Sequence, residues 1–171
     1  MPQSIFVLGG ARSGKTSRAL AHADGFMTKV YIATAEALDQ EMAARIARHK
    51  GERGDSWTTY EAPLELPQAI GQIRDGNAIC VVDCLTLWLT NLIAAGRDVE
   101  AATRALCEAI DAAAPTMVIV SNELGLGIVP EDALSREFRD HQGRLNQAVA
   151  GVADCVEFVV AGLPLQVKPS R

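Results

Sequence analysis

The chain has 171 residues, of which 49% are hydrophobic and 22% charged, with a formal net charge of −5. Such a composition suits one globular domain with a sizeable core, and the acidic balance with scattered basic residues argues against a nucleic-acid binder. No apolar run is long enough to span a bilayer, and the N-terminus carries no signal-peptide pattern. The four cysteines, Cys80, Cys84, Cys107 and Cys155, include no second pair that would complete a zinc site, so they read as reduced, mostly buried thiols of a cytoplasmic protein.

The first predicted element, Ser4 to Leu8, is a short apolar run that reads as a buried strand. It leads into Gly9-Gly10-Ala11-Arg12-Ser13-Gly14-Lys15-Thr16, which has the spacing of a phosphate loop, and Thr16 to Ala23 reads as the helix that follows. The glycines let the backbone curl with its N–H groups inward, and the helix N-terminus adds partial positive charge. Lys15 can then reach the outer phosphates of a nucleotide, and the Thr16 hydroxyl can hold magnesium alongside waters and phosphate oxygens.

Lys29 to Thr34 reads as a second strand and Ala37 to Lys50 as a helix with Asp39 at its N-cap. A polar loop through Ser56 precedes an alternating strand, Trp57 to Glu61; Pro63 and Pro67 bracket the start of a helix running to about Arg74. Ala78 to Asp83 is a near-continuous apolar run ending in a carboxylate, as in a parallel strand covered on both faces. Helices are expected over Cys84 to Ala95, Val99 to Ala113 and Ala133 to Val152, with strands at Thr116 to Ser121 and, last, Cys155 to Val160. Alternation of this kind predicts an α/β fold: a P-loop NTPase-like, three-layer arrangement around a mostly parallel sheet. Its ligands belong at the carboxyl ends of the strands, where Gly9, Thr34, Asp83 and Glu123 fall.

Asp83 is placed to act on the magnesium side of the nucleotide, or else to cap the helix after it. Motor-type ATPases follow this Asp with a catalytic Glu; here Cys84 follows. Glu123 ends the next strand and reads equally as a base or as the partner of a nearby arginine. On the helix from Ala37, Met42, Ile46 and His49 form one stripe flanked by Arg45 and Arg48, with Lys50 and Arg53 beyond. These cations disfavour the imidazolium form, so His49 can be a neutral nucleophile toward phosphorus, although taken alone it reads as a half-buried or surface histidine on a basic helix. Arg136, Arg139 and Asp140 share a helix and suit either a phosphate clamp or a solvated face. Trp57, Tyr60, Trp88 and Phe138 are expected in the core.

Together with the phosphate loop, several stretches carry a resemblance: Ile32-Ala33-Thr34-Ala35, the segment from Asp39 through His49 to Arg53, Trp57 to Pro63, Val82 to Asn91, Ser121 to Pro130, Arg136 to Gln147, and Gly162-Leu163-Pro164-Leu165. The chain resembles the bifunctional adenosylcobinamide kinase/adenosylcobinamide-phosphate guanylyltransferase family of cobalamin biosynthesis. The resemblance implies two reactions on one fold. ATP or GTP phosphorylates the aminopropanol arm of adenosylcobinamide; GTP then gives GMP to adenosylcobinamide-phosphate through a guanylylated histidine, which matches His49. It further implies nucleotide-binding positions at Gly9, Gly10, Ala11, Arg12, Ser13, Gly14, Lys15, Thr16, Ala33, Thr34, Ala35, Lys50, Gly51, Glu52, Arg53, Glu61 and Asp83, and assembly as a homotrimer. Lys15 and His49 are the expected catalytic residues, and Thr16 and Asp83 the expected Mg2+ ligands. The competing readings are a plain phosphate-loop kinase in which His49 is structural and, from another class, a non-enzymatic nucleotide-binding switch or assembly ATPase.

Overall fold

The computed structural model describes residues 3–36 and 56–169. Among these, strands β1 (Ser4–Gly9), β2 (Lys29–Ala33), β3 (Trp57–Glu61), β4 (Ile79–Asp83), β5 (Thr116–Asn122), β6 (Cys155–Val160) and β7 (Leu163–Lys168) form one sheet in the order β3-β2-β4-β5-β1-β6-β7. All neighbouring pairs are parallel except β6 with β7. Helices α1 (Lys15–Ala21), α2 (Leu66–Gln72), α3 (Leu85–Ala94), α4 (Val99–Asp111) and α5 (Ala133–Val152) connect them.

The side-chain period of two divides each strand between two layers. Phe6, Val30, Ile32, Val82, Met117 and Ile119 face the core under α2 to α5, centred on Leu66, Trp88, Leu106 and Leu145. Ile5, Val7, Tyr31, Val81, Val118 and Val120 face the other side, where Ala19 of α1 and Ala23 just beyond it pack. Because both faces are covered, the central strands read as unbroken apolar runs. Trp88 is fully buried, and its indole nitrogen donates to the Leu64 carbonyl at 2.9 Å, which joins α3 to the segment before α2.

Two sequence expectations are corrected. Cys155–Val160 is not the last strand, because β7 pairs antiparallel with it. The run Leu163–Lys168 holds Pro164 and is mostly exposed, which suits an edge strand and gives no buried-strand signature. Tyr60 is 42% exposed on edge strand β3 and so lies outside the core. Among the described residues, no helix is long and apolar enough to cross a membrane.

Trp88→Ala is expected to lower the unfolding free energy in urea by about 3–5 kcal/mol, from lost burial and the cavity left behind.

Candidate active site

The phosphate loop follows β1 directly. Gly14, with φ 97°, is the N-cap of α1 and provides no side chain to occupy the first helical amides. The loop's carbonyls are taken up by the scaffold. Gly9 O accepts from the Glu123 amide at 3.1 Å, and Ser13 O from the Gly162 amide at 2.8 Å. Gly10 O accepts from Lys15 Nζ at 2.6 Å. Gly162 sits in the β6–β7 turn, where Ala161 and Gly162 both have positive φ, so the edge hairpin closes one side of the loop. A Cβ on Gly9 would stand 2.5 Å from Ser13 Oγ and 2.6 Å from Val159 O, so the backbone there leaves no space for a side chain. Ser13 Oγ is buried without a hydrogen-bond partner among the described residues, which fits a site completed by an oxygen-rich ligand.

The carboxylate of Asp83 lies across the sheet from the loop, with β5 between β4 and β1. Thr16 Oγ1 donates to Asp83 Oδ2 at 3.1 Å, and Tyr31 Oη donates to the same oxygen at 2.9 Å. Asp83 makes no side-chain cap to α3, whose N-cap is Cys84. A hydroxyl and a carboxylate oxygen this close form a hard-oxygen pair of the kind magnesium takes, with phosphate oxygens and waters completing its shell. No cluster of three or more His, Cys, Asp or Glu able to hold a metal occurs among the described residues.

Burial, and then the Asp83 charge, push the Cys84 thiol up to about 11. At neutral pH it is an uncharged thiol and cannot replace the catalytic carboxylate of motor-type ATPases. Its backbone is held by Thr34: the Thr34 hydroxyl accepts from Cys84 N at 2.9 Å and donates to Cys84 O at 2.7 Å. Asn91 of α3 donates to both Thr34 O (2.8 Å) and Pro63 O (3.0 Å). The buried Thr34 side chain thus fixes the turn after Asp83.

Glu123 is anchored next to the loop through its backbone, and its carboxylate accepts from the Gly125 amide. No ion pair between Glu123 and an arginine is present among the described residues, where Arg136 instead donates to the carbonyls of Pro130 and Glu131. Ala33 and Glu61 are paired in register at the ends of β2 and β3. Ala35 is half-buried just after β2, and Ala11 and Arg12 are exposed on the loop's outer side. The helix expected over Ala37 to Lys50, together with Asp39, Met42, Arg45, Ile46, Arg48, His49, Lys50, Gly51, Glu52 and Arg53, lies outside the described residues.

A charged cluster that the sequence reading missed stands behind the loop. Glu157 of β6 is buried and accepts from Arg18 Nε at 2.8 Å and Arg18 Nη2 at 2.6 Å, with His22 Nε2 at 3.1 Å. Its signal was available, since a glutamate inside an apolar strand needs a cationic partner. This fork ties the seven-residue α1, too short to be stable alone, to β6. The Arg18 guanidinium holds the Glu157 carboxyl below its usual 4.5, with His22 assisting.

The loop, the flanking helix and the Thr16–Asp83 pair across an intervening strand define a phosphate-loop nucleotide-binding protein. The fold is shared with solved structures: a type III secretion system ATPase (TM-score 0.56, 10% identity, 96% of this chain and 56% of that chain) and a Pyrococcus horikoshii protein (TM-score 0.60, 9% identity, 98% and 87%). A family model described as cobinamide kinase/cobinamide phosphate guanyltransferase matches residues 5–167. The chain is 43% identical to the bifunctional adenosylcobalamin biosynthesis protein CobP of Pseudomonas aeruginosa, covering 95% of each. It is 37% identical to the bifunctional adenosylcobalamin biosynthesis protein CobU of Escherichia coli, over 96% of this chain and 99% of that one. The chain belongs to the cobinamide kinase/cobinamide phosphate guanyltransferase family.

Two expectations follow from the geometry. Gly9→Ala should weaken GTP binding in equilibrium dialysis by about tenfold or more, while Gly10→Ala, whose Cβ meets nothing within 4 Å, should stay within about threefold. Glu157→Gln should cost about 2 kcal/mol at neutral pH through loss of the charged fork. Because the folded carboxyl sits below 4.5, that stability is present above this pH and fades as pH falls through the folded value, so the wild-type and variant urea midpoints should converge in acid.

Proposed function

We propose that this chain phosphorylates the aminopropanol hydroxyl of adenosylcobinamide from ATP or GTP and then joins GMP from GTP to the new phosphate, with His49 carrying GMP between the two. The observation that carries the reading is the Lys15, Thr16 and Asp83 arrangement on a pinned phosphate loop, in a chain whose family match runs from residue 5 to residue 167.

In the first reaction the hydroxyl oxygen forms a bond to the γ-phosphorus, the bond from that phosphorus to the β–γ bridging oxygen breaks, and the nucleoside diphosphate leaves. Lys15 and the loop amides at Gly9 to Thr16 hold the charge that builds on the phosphate oxygens. Glu123, next to the loop, is the candidate to take the hydroxyl proton. In the second reaction His49 nitrogen bonds to the α-phosphorus of GTP and pyrophosphate leaves. An oxygen of adenosylcobinamide-phosphate then displaces the imidazole, giving adenosylcobinamide-GDP.

Thr16 and Asp83 would hold Mg2+, which when bound neutralises phosphate charge. Ala33, Thr34, Ala35 and Glu61 at the strand ends, and Lys50, Gly51, Glu52 and Arg53 beside His49, complete the proposed nucleotide site. Thr34 contributes there by shaping the backbone rather than through its occupied hydroxyl. Assembly as a homotrimer and a cytoplasmic setting belong to the same reading. Edge strand β7, with Leu163, Leu165 and Val167 exposed, is the kind of surface a subunit contact covers.

Incubation with GTP labelled at the α-phosphate, followed by denaturation, should leave acid-labile, base-stable label on the wild type and none on His49→Ala. Label retained only from the γ-position would instead support a plain kinase with a structural His49. Lys15→Ala should reduce phosphorylation of adenosylcobinamide by about 100-fold or more, whereas His49→Ala should spare that step.

A further inference from the structure

A cavity of about 580 Å³ opens between α3 and the N-terminal half of α5. Its apolar walls are Ile93, Leu124, Pro130, Leu134 and Phe138. Glu137, Arg139 and His141 supply polar groups around them. The loop that supplies Leu124 and Pro130 carries exposed apolar side chains beside the hollow: Leu126 is 80% exposed, Ile128 97%, and Val129 is also exposed, as is Leu134 at the start of α5. An apolar hollow with a few polar groups is the usual form of a small-molecule site, and a patch of this kind on a protein surface marks a binding face.

Both walls begin at the phosphate-transfer site. Leu124 directly follows Glu123, whose amide holds Gly9 O at 3.1 Å. Helix α3 begins one residue after the Asp83–Cys84 turn, and the hydroxyl of its Thr86 accepts from the Asn122 amide at 3.1 Å. A buried network fixes the third wall to the same place: Asn146 of α5 donates to Asn122 O at 3.0 Å, and Ser121 Oγ donates to Asn146 Oδ1 at 2.8 Å. The hollow is therefore held in register with the loop through β5.

We propose that this hollow is the subsite for the corrin ring of the acceptor. The inference rests on the reading that a cobinamide is the substrate. A corrin macrocycle has broad methyl-bearing faces, a rim of carboxamides and a net positive charge when its cobalt is alkylated. The apolar walls suit the faces, Arg139 and His141 suit the carboxamides, and the Glu137 carboxylate complements the charge. A side arm leaving the ring at Leu124 has one residue, about 3 Å of chain, to pass before it meets the residue anchored on Gly9. A ring seated here thus directs its hydroxyl, or the phosphate formed from it, at the nucleotide.

Ala94→Trp sets a bulky ring in the lining of the hollow, and Leu134→Glu places a charge in its wall; both positions are exposed, so neither variant disturbs the core. Adenosylcobinamide binding is read by equilibrium dialysis from corrin absorbance, and enzyme labelling from α-labelled GTP is read on the same samples. The expected result is a Kd for adenosylcobinamide raised tenfold or more in both variants, with labelling kept within twofold of wild type. Unchanged corrinoid binding in both variants overturns the assignment. So does loss of binding and labelling together, or conversion of an oligomeric wild type to monomers by both variants, which would make a second copy the occupant. Absence of labelling in the wild type would instead count against the guanylyl-transfer reading, with the dialysis result still deciding the corrin subsite.

Discussion

The structure depends on how the carbonyls of one loop are occupied. Gly9 O, Gly10 O and Ser13 O accept from the Glu123 amide, the Lys15 ammonium and the Gly162 amide. With its oxygens turned into the scaffold, the loop can direct its amides the other way, toward an anion. Each donor comes from a different place: the end of β5, the first turn of α1 and the β6–β7 turn. The loop conformation is thus a product of β5, α1 and the β6–β7 turn and not of the glycines alone, although the glycine at position 9 is required by the lack of space around it.

The strand order also sets the distance between the loop and the Asp83 carboxylate. Inserting β5 between β1 and β4 puts Asp83 two strands from the loop, about 10 Å away in the sheet plane. The gap is crossed above the sheet by the Thr16 side chain, and Tyr31 holds the Asp83 carboxylate from the far side. Arg18 and Glu157 perform the matching service behind α1, fixing the helix that carries Lys15 and Thr16. The polar contacts of Thr34, Asn91, Asn146 and Thr86 all fall at the carboxyl ends of strands, where the ladders stop and backbone groups need other partners.

The central strands and the long helices were legible in the sequence because burial on two faces writes an apolar run and burial on one face writes a period of 3.6. The strand β7 was not, because an exposed edge strand containing Pro164 has neither signature. Its role at the loop depends on a turn conformation at Ala161 and Gly162 that composition does not announce. Motif spacing and strand ends singled out Lys15, Thr16 and Asp83, and the fold sets the Thr16 hydroxyl against the Asp83 carboxylate. Tyr31 and the Glu157 fork were not, since their partners are fixed by strand order, with Tyr31 two residues before the β2 position that pairs with Asp83. His49 was singled out by its company of cations and by family likeness. It lies outside the described residues.

The position of β1 has a consequence for how the chain is assembled. Its two neighbours, β5 and β6, come late in sequence, so Gly9 stands opposite Asn122 on one side and Val159 on the other. Pairings of such separation are costly to close and slow to form. On a ribosome, the segment bearing the phosphate loop emerges long before the strands that enclose it, and the amide of Gly162 that satisfies Ser13 arrives later still. Nucleotide capture is therefore a late event in biogenesis, and a nascent chain halted before β6 would display the loop sequence without the binding site.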